Sequence, residues 1–206
     1  MNKLIKHIEW ALAQAYLSES KIDERILEMP GMSGSKTRHF YNNICSMDDA
    51  RYLEIGAWKG SSLCSAMYDN EMTCVAIDNW SESPFEDFLQ NFNRFKGGNN
   101  ASFIEKNCWD VDASTIGKFN IYMYDACHTE ESHHKALSHY FSCLDDEFIY
   151  LVDDWNVKEI QDGTLSSIKD NKLEVLYQKE IFSPGNNHIY PFDWHNGISI
   201  FVLKKQ

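Results

Sequence analysis

Tyr52-Leu53-Glu54-Ile55-Gly56-Ala57-Trp58-Lys59-Gly60-Ser61-Ser62 decides the reading of the fold. An apolar run closes on an acid, glycines at 56 and 60 make a turn, and a helix-forming segment follows. A second apolar run, Cys74-Val75-Ala76-Ile77, closes on Asp78. Strand, glycine turn, helix, strand and acid form the first half of a nucleotide-binding βαβ unit. In such a unit the glycines let the backbone approach a ligand closely, and the second acid accepts hydrogen bonds from ribose hydroxyls. A glycine turn that merely joins strand to helix would account for Gly56 and Gly60 alone, but Glu54 before them and Asp78 after them favour the cofactor. The spacing is Gly-x-x-x-Gly, not Gly-x-Gly-x-x-Gly, which lowers the expectation of a nicotinamide or flavin.

Outward from this motif, apolar and helical segments alternate. Strands are expected near 51–55, 73–77, 102–105, 119–124 and 147–152, with helices near 60–69, 85–95, 110–115 and 130–143. Alternation of this kind implies a parallel sheet covered on both faces, and the nearly all-apolar runs at 119–124 and 148–152 suit its centre. After 155 a helix near 157–169 precedes a strand near 173–181, a loop at Ser183-Pro184-Gly185-Asn186-Asn187 and a last strand from Gly197 to Leu203. Two strands with no room for a long helix between them predict an antiparallel edge hairpin. Upstream, Leu4, Ile5, Ile8, Leu12, Ala15 and Tyr16 are spaced as one helix over 3–17. A shorter helix is expected at Ile22–Glu28. Pro30-Gly31-Met32-Ser33-Gly34 then breaks the chain, and Ser35 is placed to cap a helix through Cys45. The expected fold is α/β and Rossmann-like: a doubly wound, mostly parallel seven-stranded sheet with an antiparallel C-terminal edge hairpin and N-terminal helices.

Composition narrows the class. The chain has 206 residues with 43% hydrophobic content, enough for one domain with a sizeable core. No run reaches the roughly 20 apolar residues of a membrane span. The segment Met1 to Trp10 mixes Lys, His and Glu with apolar residues and does not read as a signal peptide, so a cytoplasmic location is expected. A formal net charge of −12 argues against binding a phosphate backbone. The six cysteines, Cys45, Cys64, Cys74, Cys108, Cys127 and Cys143, form no Cys-x-x-Cys pair and read as reduced, buried thiols.

Ligands of open α/β sheets bind at the carboxyl ends of the strands. There the sequence places Glu54 and Gly56, then Asp78, then Asn107, Cys108 and Trp109, then Asp125, Cys127 and His128, and finally Asp153 and Asp154. With Gly60 and Ser61 opening the first helix, the candidate cofactor-binding residues are Glu54, Gly56, Gly60, Ser61, Asp78, Asn107, Cys108, Trp109 and Asp125. Asp125, Asp153 and Asp154 end strands expected to be neighbours. Three converging carboxylates repel, and a hard divalent cation such as Mg2+ or Ca2+ relieves that repulsion with oxygen ligands. A solvated acidic rim of strand-end caps is the plainer alternative. His128, three residues after Asp125, is a candidate general base or simply a histidine at a helix start. His133, His134 and His139 lack metal-ligand spacing and read as surface or packing residues.

Together these residues resemble the class I S-adenosylmethionine-dependent methyltransferases, through the acid-x-Gly-x-x-x-Gly pattern. Within that class they resemble the metal-dependent O-methyltransferases, nearest to the macrocin-type sugar O-methyltransferases. Tyr124-Asp125-Ala126-Cys127-His128 and Val152-Asp153-Asp154-Trp155-Asn156 stand at the metal positions of that group, and Trp194-His195-Asn196-Gly197-Ile198-Ser199-Ile200-Phe201 looks like its closing strand. Many members carry Asp-Gly-Asp-His where this chain has Asp125-Ala126-Cys127-His128. The resemblance covers roughly 32–204. It implies S-adenosylmethionine as methyl donor, Mg2+ on Asp125, Asp153 and Asp154, catalytic roles for Asp125 and His128, and a small hydroxylated acceptor, a sugar or a phenol. It implies one methyltransferase-like domain over 1–206, with a helical extension at 1–34 and a catalytic core at 35–206.

Two segments carry extra aromatics. Phe85, Phe88, Phe92 and Phe95 lie at helical spacing, as a packed helix face or, with Trp80, a lid. Phe182 to His195, with Pro184, His188, Tyr190, Phe192 and Trp194, suits an acceptor ring or a contact in a homo-oligomer. Two other functions fit less well. A non-catalytic S-adenosylmethionine-binding accessory or regulatory protein has no need of the acidic trio. A non-haem iron oxidoreductase usually wants two His and one carboxylate.

Overall fold

The five predicted parallel strands lie side by side, because each is apolar on both faces and can be covered only from both sides. The structure is a computed structural model and describes residues 2–82, 85–183 and 193–206. β1 (Arg51–Ile55), β2 (Thr73–Asp78), β3 (Asn100–Glu105), β4 (Phe119–Tyr124) and β5 (Leu144–Asp153) are parallel. β6 (Glu174–Ile181) and β7 (Ile198–Lys204) complete a seven-stranded sheet in the order β3-β2-β1-β4-β5-β7-β6, with β7 antiparallel to both its neighbours. The hairpin predicted at the edge is therefore present, with the last strand inserted between β5 and β6.

The side chains sort by the two-residue period of a strand. Tyr52, Ala76, Met123 and Leu151 face a core shared with α1 (Lys3–Tyr16), α2 (Glu24–Leu27), α3 (Ser35–Ile44), α4 (Ser61–Met67) and α5 (Phe85–Phe95). Leu53, Ile77, Tyr124 and Val152 face a second core, under α6 (Glu130–Tyr140) and α7 (Lys158–Asp170). Strand order runs outward in opposite directions from β1 and β4, so their carboxyl ends flank the crevice of a doubly wound sheet.

Some expectations are corrected. The helix expected near 110–115 is two 3₁₀ turns, Cys108–Asp110 and Ala113–Thr115, because the Asn107 and Asp112 side chains accept the N–H groups of Trp109 and Ser114 and close each turn. Gly34, not Ser35, caps α3, and Ser35 is its first helical residue. Cys45, Cys64, Cys74 and Cys143 are buried thiols as expected, but Cys127 is exposed. Phe88, Phe92 and Phe95 are buried and pack with Trp80 and Phe103, the packed helix face of the two readings of that segment. Most of the aromatic segment before Trp194 lies outside the described residues.

Candidate active site

A cavity of about 380 Å³ opens where β1, β2 and β4 end. Gly56 makes that junction possible. It leaves β1 at φ +92°, and a Cβ there would stand 1.9 Å from the carbonyl oxygen of Asp125, so only glycine lets the ends of β1 and β4 meet. Asp78, at the end of β2, accepts the backbone N–H groups of Trp58 (2.8 Å) and Trp80 (2.7 Å). Trp58 and Trp80 both hold left-handed backbone, at φ +44° and +48°, and the Trp80 indole donates to the Trp58 carbonyl at 2.7 Å. One carboxylate thus fixes two loops. A carboxylate has about four lone-pair sites, so Asp78 retains capacity for ligand hydroxyls. Asn107, Cys108 and Trp109 form the facing wall, and Lys135 Nζ sits 4.3 Å from the centre of the Trp109 ring.

The predicted cofactor-binding residues divide. Gly56, Asp78, Asn107, Cys108, Trp109 and Asp125 line the cavity. Ser61 lines a side cavity of about 30 Å³ that shares Met32, Gly56, Trp58 and Asp125 with the first. Glu54 and Gly60 line neither. Glu54 is fully buried beneath the site and accepts hydrogen bonds from Tyr52 Oη (2.6 Å) and Ser62 Oγ (2.7 Å). Burial pushes its carboxyl up to about 7 despite those two donors. Gly60 caps α4 at φ +83° with Phe88 beside it.

The acids converge in a different grouping from the one the strand ends suggest. Asp125, His128 and Asp154 each offer an atom within 4.8 Å of the others. His128 Nε2 is 3.1 Å from Asp154 Oδ2 and 3.5 Å from Asp125 Oδ1. Asp154 reaches them because it leaves β5 with a left-handed backbone, φ +55°. Asp153, the last residue of β5, lines the side cavity with Asp125, and its Oδ1 is buried without a hydrogen-bond partner. Burial raises the carboxyls of Asp125 and Asp153 well above the usual range, and neighbouring aspartates add to the shift. The other histidines stand apart from the cavity. His133 is buried against Tyr124 and is held down to about 3 by burial, His134 pairs with Asp170, and His139 meets the Val111 carbonyl.

The sequence reading missed three contributors. Trp58 lies inside the diagnostic motif, yet only its bond to Asp78 shows that it forms a wall. Met32 and Ser33 follow a chain break with no periodicity, and they reach the site because α3 packs against α4. Tyr41 is fully buried on the side cavity with an unpartnered hydroxyl.

The family model described as "Methyltransferase domain" matches residues 53–155, half of the chain, and the chain belongs to that family. No curated protein matches the sequence. Among solved structures, the SAH-bound methyltransferase PaMTH1 of Podospora anserina superposes with a TM-score of 0.60 at 14% identity, over 100% of this chain and 89% of that one. A SAM-dependent methyltransferase assignment from Streptococcus mutans gives 0.61 at 13% identity, over 85% of this chain and 49% of its own. A ribosomal protein L11 methylase from Lactobacillus delbrueckii subsp. bulgaricus gives 0.55 at 12% identity, over 84% and 78%. At these identities the likeness is one of fold. The chain spans about half the length of the Streptococcus mutans protein. Among the described residues, no helix is long and apolar enough to cross a membrane.

Proposed function

We propose that this chain transfers a methyl group from S-adenosylmethionine to a hydroxyl oxygen of a small acceptor, with the help of a divalent cation. The observation that carries the reading is the meeting of Asp125, His128 and Asp154 on the wall of the cavity that Asp78 and Gly56 also line. Asp78 suits the ribose of the donor, and Trp58, Trp80 and Trp109 supply apolar walls for its base.

The donor set fits a cation. Two carboxylates and an imidazole lie within reach of one point, and the buried Asp153 oxygen nearby lacks a partner. Asp125 and Asp154 would hold it, with His128 or Asp153 beside them. A cation bound there lowers the pKa of an acceptor hydroxyl. The half-exposed His128 ring reaches the open part of the cavity and would take the hydroxyl proton as a neutral imidazole. The walls would hold donor and acceptor in line, so positioning and charge stabilisation supply most of the rate. The acceptor is expected to be a sugar or phenol and the protein to act in the cytoplasm.

The test is calorimetric titration of EDTA-treated protein with S-adenosylmethionine, with and without Mg2+, followed by a hydroxyl-acceptor screen that reads release of S-adenosylhomocysteine. Donor binding and Mg2+-dependent turnover support the proposal. Turnover unaffected by chelation removes the cation from it, and absence of donor binding removes the donor.

A further inference from the structure

Arg38 is a buried cation with no acid to answer it. It lies on α3, is only 3% exposed, and forms no ion pair with any described residue. Its Nη1 donates to the carbonyls of Ile26 (2.5 Å), Leu27 (3.2 Å) and Met29 (2.8 Å), and its Nε donates to Ser33 O and Oγ, both at 3.0 Å. Neutral carbonyls orient a guanidinium but do not cancel its charge, and a buried charge without a counter-charge is costly. Burial accordingly pulls Arg38 down to about 10.

The group left over points toward the site. Nη2 makes no hydrogen bond to a described residue. The position of a Cβ on Gly31 would lie 3.2 Å from Nη2 and 2.2 Å from Ser61 Oγ, so the bare glycine separates the guanidinium from that hydroxyl. Ser33 Oγ donates to Ser61 Oγ at 3.1 Å, and both serines line the side cavity of about 30 Å³. That volume suits a group about the size of a water molecule or a carboxylate. Asp125 and Asp153 line the same cavity. A doubly charged phosphate would meet those acids, whereas an anion that carries a cation beside it satisfies both walls.

We infer that Arg38 supplies the counter-charge for a carboxylate carried by the ligand, the α-carboxylate at the amino-acid end of the methyl donor, with Ser33 and Ser61 as neutral donors. The inference rests on the methyl-donor reading above. The guanidinium is a positioning residue that acts on binding and takes no part in bond making. Because it is held by three carbonyls of the N-terminal segment, donor binding also ties that segment to the first turn of the sheet.

The test uses the full chain and two ligands, S-adenosylhomocysteine and its decarboxylated analogue, titrated by calorimetry into wild type, Arg38→Gln and Arg38→Lys. Wild type should prefer the carboxylate-bearing ligand. Arg38→Gln should lose affinity for it by roughly 10- to 100-fold, the range for a hydrogen bond to a charged group, with little change for the analogue. Arg38→Lys should fall between. Equal affinities for the two ligands in wild type overturn the assignment, as does an equal loss of both in Arg38→Gln. If Arg38→Gln fails to fold, the wild-type comparison decides alone. If wild type binds neither ligand, the methyl-donor reading fails and the assignment with it.

Discussion

His128 Nε2 lies 3.1 Å from Asp154 Oδ2, a contact between the turn after β4 and the turn after β5. It exists because β4 and β5 are parallel neighbours, so their carboxyl ends open on the same edge, and because Asp154 turns back at φ +55°. Asn tolerates that backbone better than Ala, so Asp154→Asn isolates the charge. With Mg2+ present it should lower kcat by about 100-fold or more while SAH affinity stays within about threefold. Unchanged kcat in a steady-state assay would remove Asp154 from the chemistry.

His128→Ala tests the proton acceptor. Loss of a general base costs about 10²- to 10⁴-fold in kcat, with donor binding intact. The half-exposed side chain leaves little packing to lose. A fall in calorimetric donor affinity with kcat unchanged would reassign His128 to binding.

Asp78→Ala removes the acceptor that holds the Trp58 and Trp80 backbones and faces the cavity. Affinity should fall about 10-fold or more for S-adenosylhomocysteine and for methylthioadenosine alike, since both carry the ribose. This separates Asp78 from Arg38, whose loss should spare ligands without the carboxylate.

Gly56→Ala places a methyl group 1.9 Å from the Asp125 carbonyl at a backbone angle of +92°. Strain and overpacking together should cost about 3 kcal/mol or more. Urea unfolding should register this as a lower midpoint with an unchanged slope. A wild-type midpoint would mean that the β1 and β4 ends separate without cost.

Glu54→Gln reports on the buried carboxyl. The folded chain raises this group from 4.5 to about 7, so it binds the proton more tightly than the unfolded chain does. Its contribution to stability is full below about pH 4.5 and is lost as pH rises to about 7, by roughly 3 kcal/mol. Glutamine keeps the shape without the charge. The variant should therefore gain stability relative to wild type between about pH 5 and about pH 8, measured by unfolding at both. Parallel pH profiles would mean that Glu54 is not the group responsible.

The fold was legible because its cause is local. Apolar runs at 51–55, 73–77, 119–124 and 148–152 state that those segments are covered on both faces, and the intervening helical periods supply the covers. The Gly56 turn and the acids at 78, 125, 153 and 154 followed from the rule that strand ends carry the ligand. The false helix near 110–115 arose where the Asn107 and Asp112 side chains close short turns, a choice between competing local hydrogen bonds that apolar spacing does not report.

The sequence by itself determined the layer order, the switch point and the types of residue that stand at its rim. Only the tertiary structure decided which of them meet. It paired His128 with Asp154, turned Asp153 toward the side cavity, withdrew Glu54 into the core, and brought Met32, Ser33 and the uncompensated Arg38 from the N-terminal segment to the site. Periodicity records whether a residue is covered. It carries no information about which distant segment covers it, and the charges and hydrogen bonds of the site depend on that.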